Sequence, residues 1–129
     1  MPDVRHAVTA FGAPSVVGPY SHAVAGGGLL FCSGQVPLDP ATGKLLEGTL
    51  AEETARCLEN LSIVCAAGGA RLTDAVRCTV YLSDMSTAAE VNEAYAAVFH
   101  DAPPARTMIG VAALPLGARV EIDAIVALQ

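Results

Sequence analysis

The 129-residue chain has no tryptophan, only three tyrosines and three phenylalanines, and few charges: 16% of its residues. Basic residues are the scarcest of these, with seven Lys and Arg against thirteen Asp and Glu, a net charge of −6 and a pI near 4.8. Such a surface repels phosphate backbones, and no basic cluster or aromatic-plus-basic stripe offsets it. Nucleic acid is therefore excluded as a partner on physical grounds, and a ribonuclease activity is disfavoured. No apolar run reaches the ~20 residues of a spanning helix. The opening segment, MPDVRHAVTAFGAPS, carries an acid in its first turn and no long apolar core, so it does not read as a secretory signal. A soluble, cytoplasmic protein with no membrane contact is expected.

Ligand and nucleophile motifs are missing too. Cys32, Cys57, Cys65 and Cys78 show no Cys-x-x-Cys spacing, and His6, His22 and His100 are scattered. No metal site is expected, and the cysteines read as reduced structural thiols. The spacings contain no Ser/His/Asp or Cys/His arrangement. Gly26-Gly27-Gly28 is followed by neither a helix nor a Lys-Ser/Thr pair, so it is a turn rather than a phosphate loop. No repeat, low-complexity tract or linker divides the chain. One domain over residues 1–129 is expected, able to bury roughly two-thirds of its unfolded surface.

What the chain has in excess is apolar surface: 53% of its residues, with a mean hydropathy of +0.48. A lone domain of this size cannot hide that much, and exposed excess marks an interface. Self-association is the first expectation.

Residues 4–9 read as an edge strand, 10–21 as a loop broken by Gly12, Pro14, Gly18 and Pro19, and 22–28 with 29–36 as a hairpin. A surface loop over 37–48 leads to a capping box, Thr49-x-x-Glu52, opening a first helix. Its apolar stripe is Leu50, Thr54, Cys57, Leu58, Leu61, Val64 and Cys65, and Gly68-Gly69 ends it. Residues 74–83 alternate, with Val76, Cys78, Val80 and Leu82 on one face and Arg77, Thr79, Tyr81 and Ser83 on the other. A second capping box, Thr87-x-x-Glu90, opens a helix with the stripe Val91, Ala94, Tyr95, Val98 and Phe99. Two closing strands flank Leu114-Pro115-Leu116-Gly117 in the manner of a hairpin. Both parities of 107–113 are small or apolar, so one face packs on the helices and the other needs a partner subunit. The fold class is α+β, in the order β-β-β-α-β-α-β-β, a mixed sheet with two helices packed on one face.

Two charges in these closing strands need an explanation, since a bare buried charge costs several kcal/mol. Arg106 follows the extended Pro103-Pro104-Ala105 segment, which fixes its position, and guanidinium matches a carboxylate bidentately. An ion pair with an acid of this chain, or a solvated strand end, serves equally well. Glu121 shares parity with Arg119 and Asp123. It is either part of a wet strand face or a carboxylate that orients or deprotonates water. Tyr20 and Ser33 are weaker candidates, for a loop tyrosine can simply pack and a strand serine can simply bond backbone.

Pro104-Ala105-Arg106-Thr107, the apolar strand and Val120-Glu121-Ile122 together resemble the signature of the RidA (YjgF) family. Val17-Gly18-Pro19-Tyr20-Ser21, Ser33-Gly34-Gln35-Val36-Pro37, Asn60-Leu61 and Val91-Asn92-Glu93-Ala94-Tyr95 are similar to that family's other landmarks, in the same order. The resemblance implies a chorismate-mutase-like fold in a homotrimer with clefts between subunits, sheets inside and helices outside. It also implies a 2-iminobutanoate/2-iminopropanoate deaminase, a cofactor-free hydrolase acting on enamine and imine products of pyridoxal-phosphate enzymes. Carried over by motif, Arg106 holds the substrate carboxylate and Glu121 positions the attacking water. Backbone groups near Gly34 and Met108 fix the imine end, and Tyr20, Ser33 and Asn92 line or support the pocket. The alternative within the family is a non-catalytic trimer that binds small carboxylates or acts like a chaperone. Many members carry cysteine where this chain has Met108, whose thioether cannot ionise, and the segment between Tyr95 and Arg106 is shorter than in some.

Overall fold

The computed structural model describes residues 4–129. Asp3, the acid of the opening turn, lies outside them. The described chain forms β1 (His6–Val8), β2 (Ala23–Gly26), β3 (Leu29–Gln35), α1 (Leu50–Ala67), β4 (Ala75–Leu82), α2 (Ala88–Val98), β5 (Ala105–Gly110) and β6 (Val120–Ala127). The strands make one six-stranded sheet in the order β1-β2-β3-β6-β4-β5. Every pairing is antiparallel except β4 with β5. The expected element order and mixed sheet are both present.

Local sequence explains the helices well. At α1 the Thr49 side chain accepts the Glu52 N–H at 3.1 Å, and the Glu52 carboxylate accepts the Thr49 N–H at 2.8 Å. This is the reciprocal box the sequence predicts, and it satisfies two otherwise orphaned donors. All seven residues of the predicted stripe are buried, as are Val80, Leu82, Val120, Ile122 and Val126 on the facing side of the sheet. The core therefore lies between the sheet and the helices. Truncating a fully buried leucine such as Leu61 costs about 2–5 kcal/mol. Gly68 ends the helix and also makes room for Leu30, whose Cδ2 would stand 2.8 Å from an added Cβ.

Three expectations are corrected. The second capping box is absent: Thr87 closes a 3-10 turn over Met85–Thr87, and its hydroxyl donates backward to the Asp84 carbonyl at 2.6 Å. Asp84 caps that turn instead, accepting the Ser86 N–H at 3.0 Å. Glu90 reaches across to accept the Ala51 N–H at 3.0 Å, tying α2 to the start of α1. Val76 is not on the buried face, because the β4–β6 register shifts between Ala75 and Arg77 and turns it out to solvent.

The third correction concerns the closing strands. β5 and β6 are not neighbours and make no hairpin, since β4 lies between them. With α2 as crossover, β4 and β5 run parallel, and parallel neighbours need a long connection rather than a tight turn. The 111–119 connection then passes over the end of β4. It is pinned there by Val111 N–H to Leu82 O at 2.8 Å and Ser83 N–H to Arg119 O at 3.1 Å. The helix-free face of the sheet carries Phe31 and Ile109, each nearly half exposed.

Candidate functional site

Arg106 lies on β5, the edge strand, in register with Cys78 of β4. Cys78 is buried on the helix side, and Arg106 turns the same way. Its Nη1 donates to Asn92 Oδ1 at 2.7 Å, and its guanidinium carbon stands 4.8 Å over the Tyr95 ring. The ion pairs among the described residues are Arg56–Glu59, Arg71–Asp74 and Arg119–Glu53, and the His100 ring contacts Asp101. Arg106 is in none of them. The ion pair with an acid of this chain thus finds no partner among the described residues. Met108, on the same side as Arg106, packs its thioether against the core. At that position, backbone is what β5 can offer outward, along the unpaired side of an edge strand.

A second group gathers on the opposite face. A cavity of about 490 Å³ is lined by Val17, Tyr20, Gly34, Val36, Leu116 and Glu121, among others. The β3–β6 register shifts between Cys32 and Gln35, a bulge that re-aims the backbone beside Glu121. Gly34 leaves the Glu121 carboxylate room to lie against the backbone there: a Cβ would meet its Cδ at 3.0 Å and push the side chain aside. Ser33 does not line the cavity. Its hydroxyl donates to Ser21 O at 2.7 Å, so it holds the segment that presents Tyr20. His22 fastens the same segment, with Nδ1 accepting the Ala10 N–H at 3.1 Å and Nε2 therefore donating to Pro14 O at 2.8 Å.

The three alternating charges of β6 and its approach have different surroundings. Arg119 pairs with Glu53 and donates to Gly48 O at 3.2 Å. Asp123 accepts the Thr79 N–H at 3.1 Å and the Tyr81 hydroxyl at 3.0 Å. Glu121, half-buried, takes no hydrogen bond among the described residues. Burial, and then the charge of Asp123, holds its carboxyl above the usual carboxylate range. A half-buried carboxylate on a cavity wall, with no partner among the described residues, is a functional-site candidate rather than part of a solvated strand face.

The register places the two groups apart. Arg106 aligns with Cys78, whereas Glu121 aligns with Tyr81, and the two side chains leave the sheet on opposite faces. β4 lies between their strands. One chain thus holds an arginine group (Arg106, Asn92, Met108) and, on the other face, a carboxylate group (Tyr20, Gly34, Glu121), with Ser33 behind the latter.

A family model described as endoribonuclease L-PSP matches residues 11–128. The chain belongs to this family, the RidA (YjgF) family. It is 47% identical over 123 residues to protein DfrA of Myxococcus xanthus, covering 94% of each chain. It is 43% identical to the 2-iminobutanoate/2-iminopropanoate deaminase of Mus musculus, covering 95% of this chain and 90% of that one. Its backbone matches the crystal structure of RidA from an Antarctic Psychrobacter with a TM-score of 0.90 at 38% identity, over 95% and 99% of the two chains. The mixed sheet with two helices is the fold of this family.

Some features of this RidA-family chain escape sequence reasoning. Tyr95 reads as an ordinary member of an apolar stripe, and its signals are its place three residues after Asn92 and within the Val91–Tyr95 landmark. Leu116 adopts φ 61°, a left-handed backbone that leucine rarely takes, at the cavity rim. The four cysteines are buried and unpaired by disulfides. Burial pushes the Cys78 thiol up to about 11, so it stays protonated. Among the described residues no group of three or more His, Cys, Asp or Glu side chains could hold a metal ion. No helix there is long and apolar enough to cross a membrane.

Proposed function

We propose that the protein hydrolyses 2-imino acids, and their enamine tautomers, to 2-oxo acids and ammonia in clefts between the subunits of a homotrimer. The observation that carries this is an arginine held by an amide oxygen and an aromatic ring, with no acid among the described residues to neutralise it. Such a guanidinium is open to a bidentate carboxylate. Relatives named as 2-iminobutanoate/2-iminopropanoate deaminases at about 40% identity support the substrate class.

Because Arg106 and Glu121 face opposite sides of their own sheet, the working cleft joins the arginine half of one copy to the carboxylate half of another. Arg106 anchors the substrate carboxylate, and backbone at Gly34 and position 108 orients the imine nitrogen. Glu121 accepts a proton from water as the oxygen attacks the imine carbon. Glu121 returns that proton to the amine nitrogen of the resulting carbinolamine. The C–N bond breaks as the hydroxyl oxygen forms the carbonyl, and the hydroxyl proton leaves with ammonia as ammonium. A protonated imine is already electrophilic, so placement and one base suffice, with the base worth about 10²–10⁴-fold. The chemistry calls for no metal or organic cofactor.

The test couples a serine or threonine dehydratase, which generates 2-aminoacrylate, to semicarbazide trapping of the imine. Wild type is expected to deplete the trapped product, and Arg106→Ala to lose the effect by at least about tenfold, the value of one charge-assisted hydrogen-bonding anchor. Equal rates for the two proteins would sink the deaminase reading. Met108, whose thioether cannot ionise, favours a second reading, a carboxylate-binding or chaperone-like trimer. Binding of 2-oxobutanoate without turnover would select it. A ribonuclease reading finds no support in a chain of net charge −6.

A further inference from the structure

We infer that Tyr95 is a positioning residue for Arg106: its ring is the platform that keeps the guanidinium flat and open towards a carboxylate. The identity of that carboxylate rests on the function proposed above, whereas the platform itself rests on geometry. The guanidinium carbon lies 4.8 Å from the ring centroid, within the range where a cation is attracted by an aromatic face. The ring cannot swing away. Tyr95 is only 5% exposed, and Phe99 packs on it at 4.8 Å with a 45° tilt. Asn92 and Tyr95 are three residues apart on α2, so one helix face supplies both the hydrogen bond and the platform.

The chemistry of these partners matters. An acidic partner would fix Arg106 as firmly, but it would occupy the fork and cancel the charge that a substrate carboxylate needs. An aromatic face and a single amide oxygen orient the guanidinium and leave its charge and its other N–H donors free. The ring, and not the phenol oxygen, does this work. The Tyr95 hydroxyl is buried, with the Cys78 thiol as its polar neighbour and no well-formed hydrogen bond among the described residues. Burial, and then the neighbouring Cys78, holds it well above the usual phenol range, so it stays neutral. Phenylalanine should therefore substitute fully, and leucine, which fills the space but has no π face, should not.

The experiment measures 2-oxobutanoate binding by calorimetry, and KM and kcat in the trapping assay, for wild type, Tyr95→Phe and Tyr95→Leu. Tyr95→Phe is expected to stay within about twofold of wild type, while Tyr95→Leu weakens binding and raises KM about 3- to 20-fold with kcat little changed. In an Arg106→Ala background, Tyr95→Leu is expected to have no further effect. A readout in the folded wild type needs neither ligand nor turnover. The Arg106 side-chain protons are expected to be shifted upfield by the ring current, and equally so in Tyr95→Phe. Arg106 resonances at ordinary positions, or equal binding by wild type and Tyr95→Leu, would overturn the inference. If wild type fails to bind 2-oxobutanoate, the carboxylate role of Arg106 falls, and the platform stands or falls on the Arg106 ring-current shift alone. Binding that depends on Tyr95 but comes with no turnover would overturn the deaminase reading and uphold the platform.

Discussion

Glu121 stands two residues from Arg119 and two from Asp123 on the same strand parity, yet it alone of the three has a burial cost with no partner to offset it. Its folded-state pKa is raised, so the native protein holds this proton more tightly than the unfolded chain does. Between the ordinary glutamate value and the raised one, the native state binds more protons, and stability falls as pH rises. Glu121→Gln is therefore expected to melt higher than wild type at neutral and mildly alkaline pH and to lose that slope, as read by thermal denaturation across the pH range. The same substitution should lower kcat by about 10²–10⁴-fold. The acid limb of the wild-type rate profile should lie above the usual carboxylate range. A variant that loses stability while keeping its rate would contradict the role given to Glu121.

Elements differ in how far their own sequence specifies them. α1 is specified locally, by a complete capping box and a seven-residue stripe, and the structure has both. Thr49→Ala is expected to cost about 1 kcal/mol in urea denaturation with little change in the slope. The corresponding Thr87→Ala should cost less, because Thr87 makes no cap to α2. That box failed for a tertiary reason: Glu90 is used by the other helix, at the Ala51 N–H. The closing strands failed as a hairpin for a similar reason. Their turn residues fit a hairpin, but a hairpin reading cannot see that β4 needs a neighbour on each side. Two apolar strands in series carry no label saying whether a third enters between them. Val76 shows the same limit on a smaller scale, since strict alternation has no symbol for a one-residue register shift.

At the scale of the whole molecule, the separation of Arg106 from Glu121 makes a sharp demand. If each cleft takes its arginine from one copy and its carboxylate from another, two inactive variants should complement. Arg106→Ala and Glu121→Gln, unfolded together and refolded as a mixture, are expected to recover a substantial fraction of wild-type activity. Each alone should show almost none, and mixing after separate folding should show little. No recovery in properly mixed oligomers would mean that both groups act within one chain. Light scattering on the same samples reports the mass of the assembly, and a monomer would remove the cleft altogether. The excess apolar composition, with Phe31 and Ile109 on a helix-free face, belongs to this same scale.

The sequence by itself determined the element order, both helical stripes and the α1 cap, which depend on periodicity and residue chemistry written along the chain. Residue chemistry also singled out Arg106 and Glu121 as candidates, and the family resemblance added roles for Tyr20 and Gly34. Only the tertiary structure decided that β4 separates the closing strands, that Ser33 secures a loop instead of lining the cavity, and that Tyr95 lies under a guanidinium. It also decided that Arg106 and Glu121 leave their sheet on opposite sides. The physical reason is that partner choice across a sheet is a non-local competition for burial and hydrogen bonds, settled among strands far apart in sequence. A charged residue's role follows from whichever neighbours that competition leaves beside it.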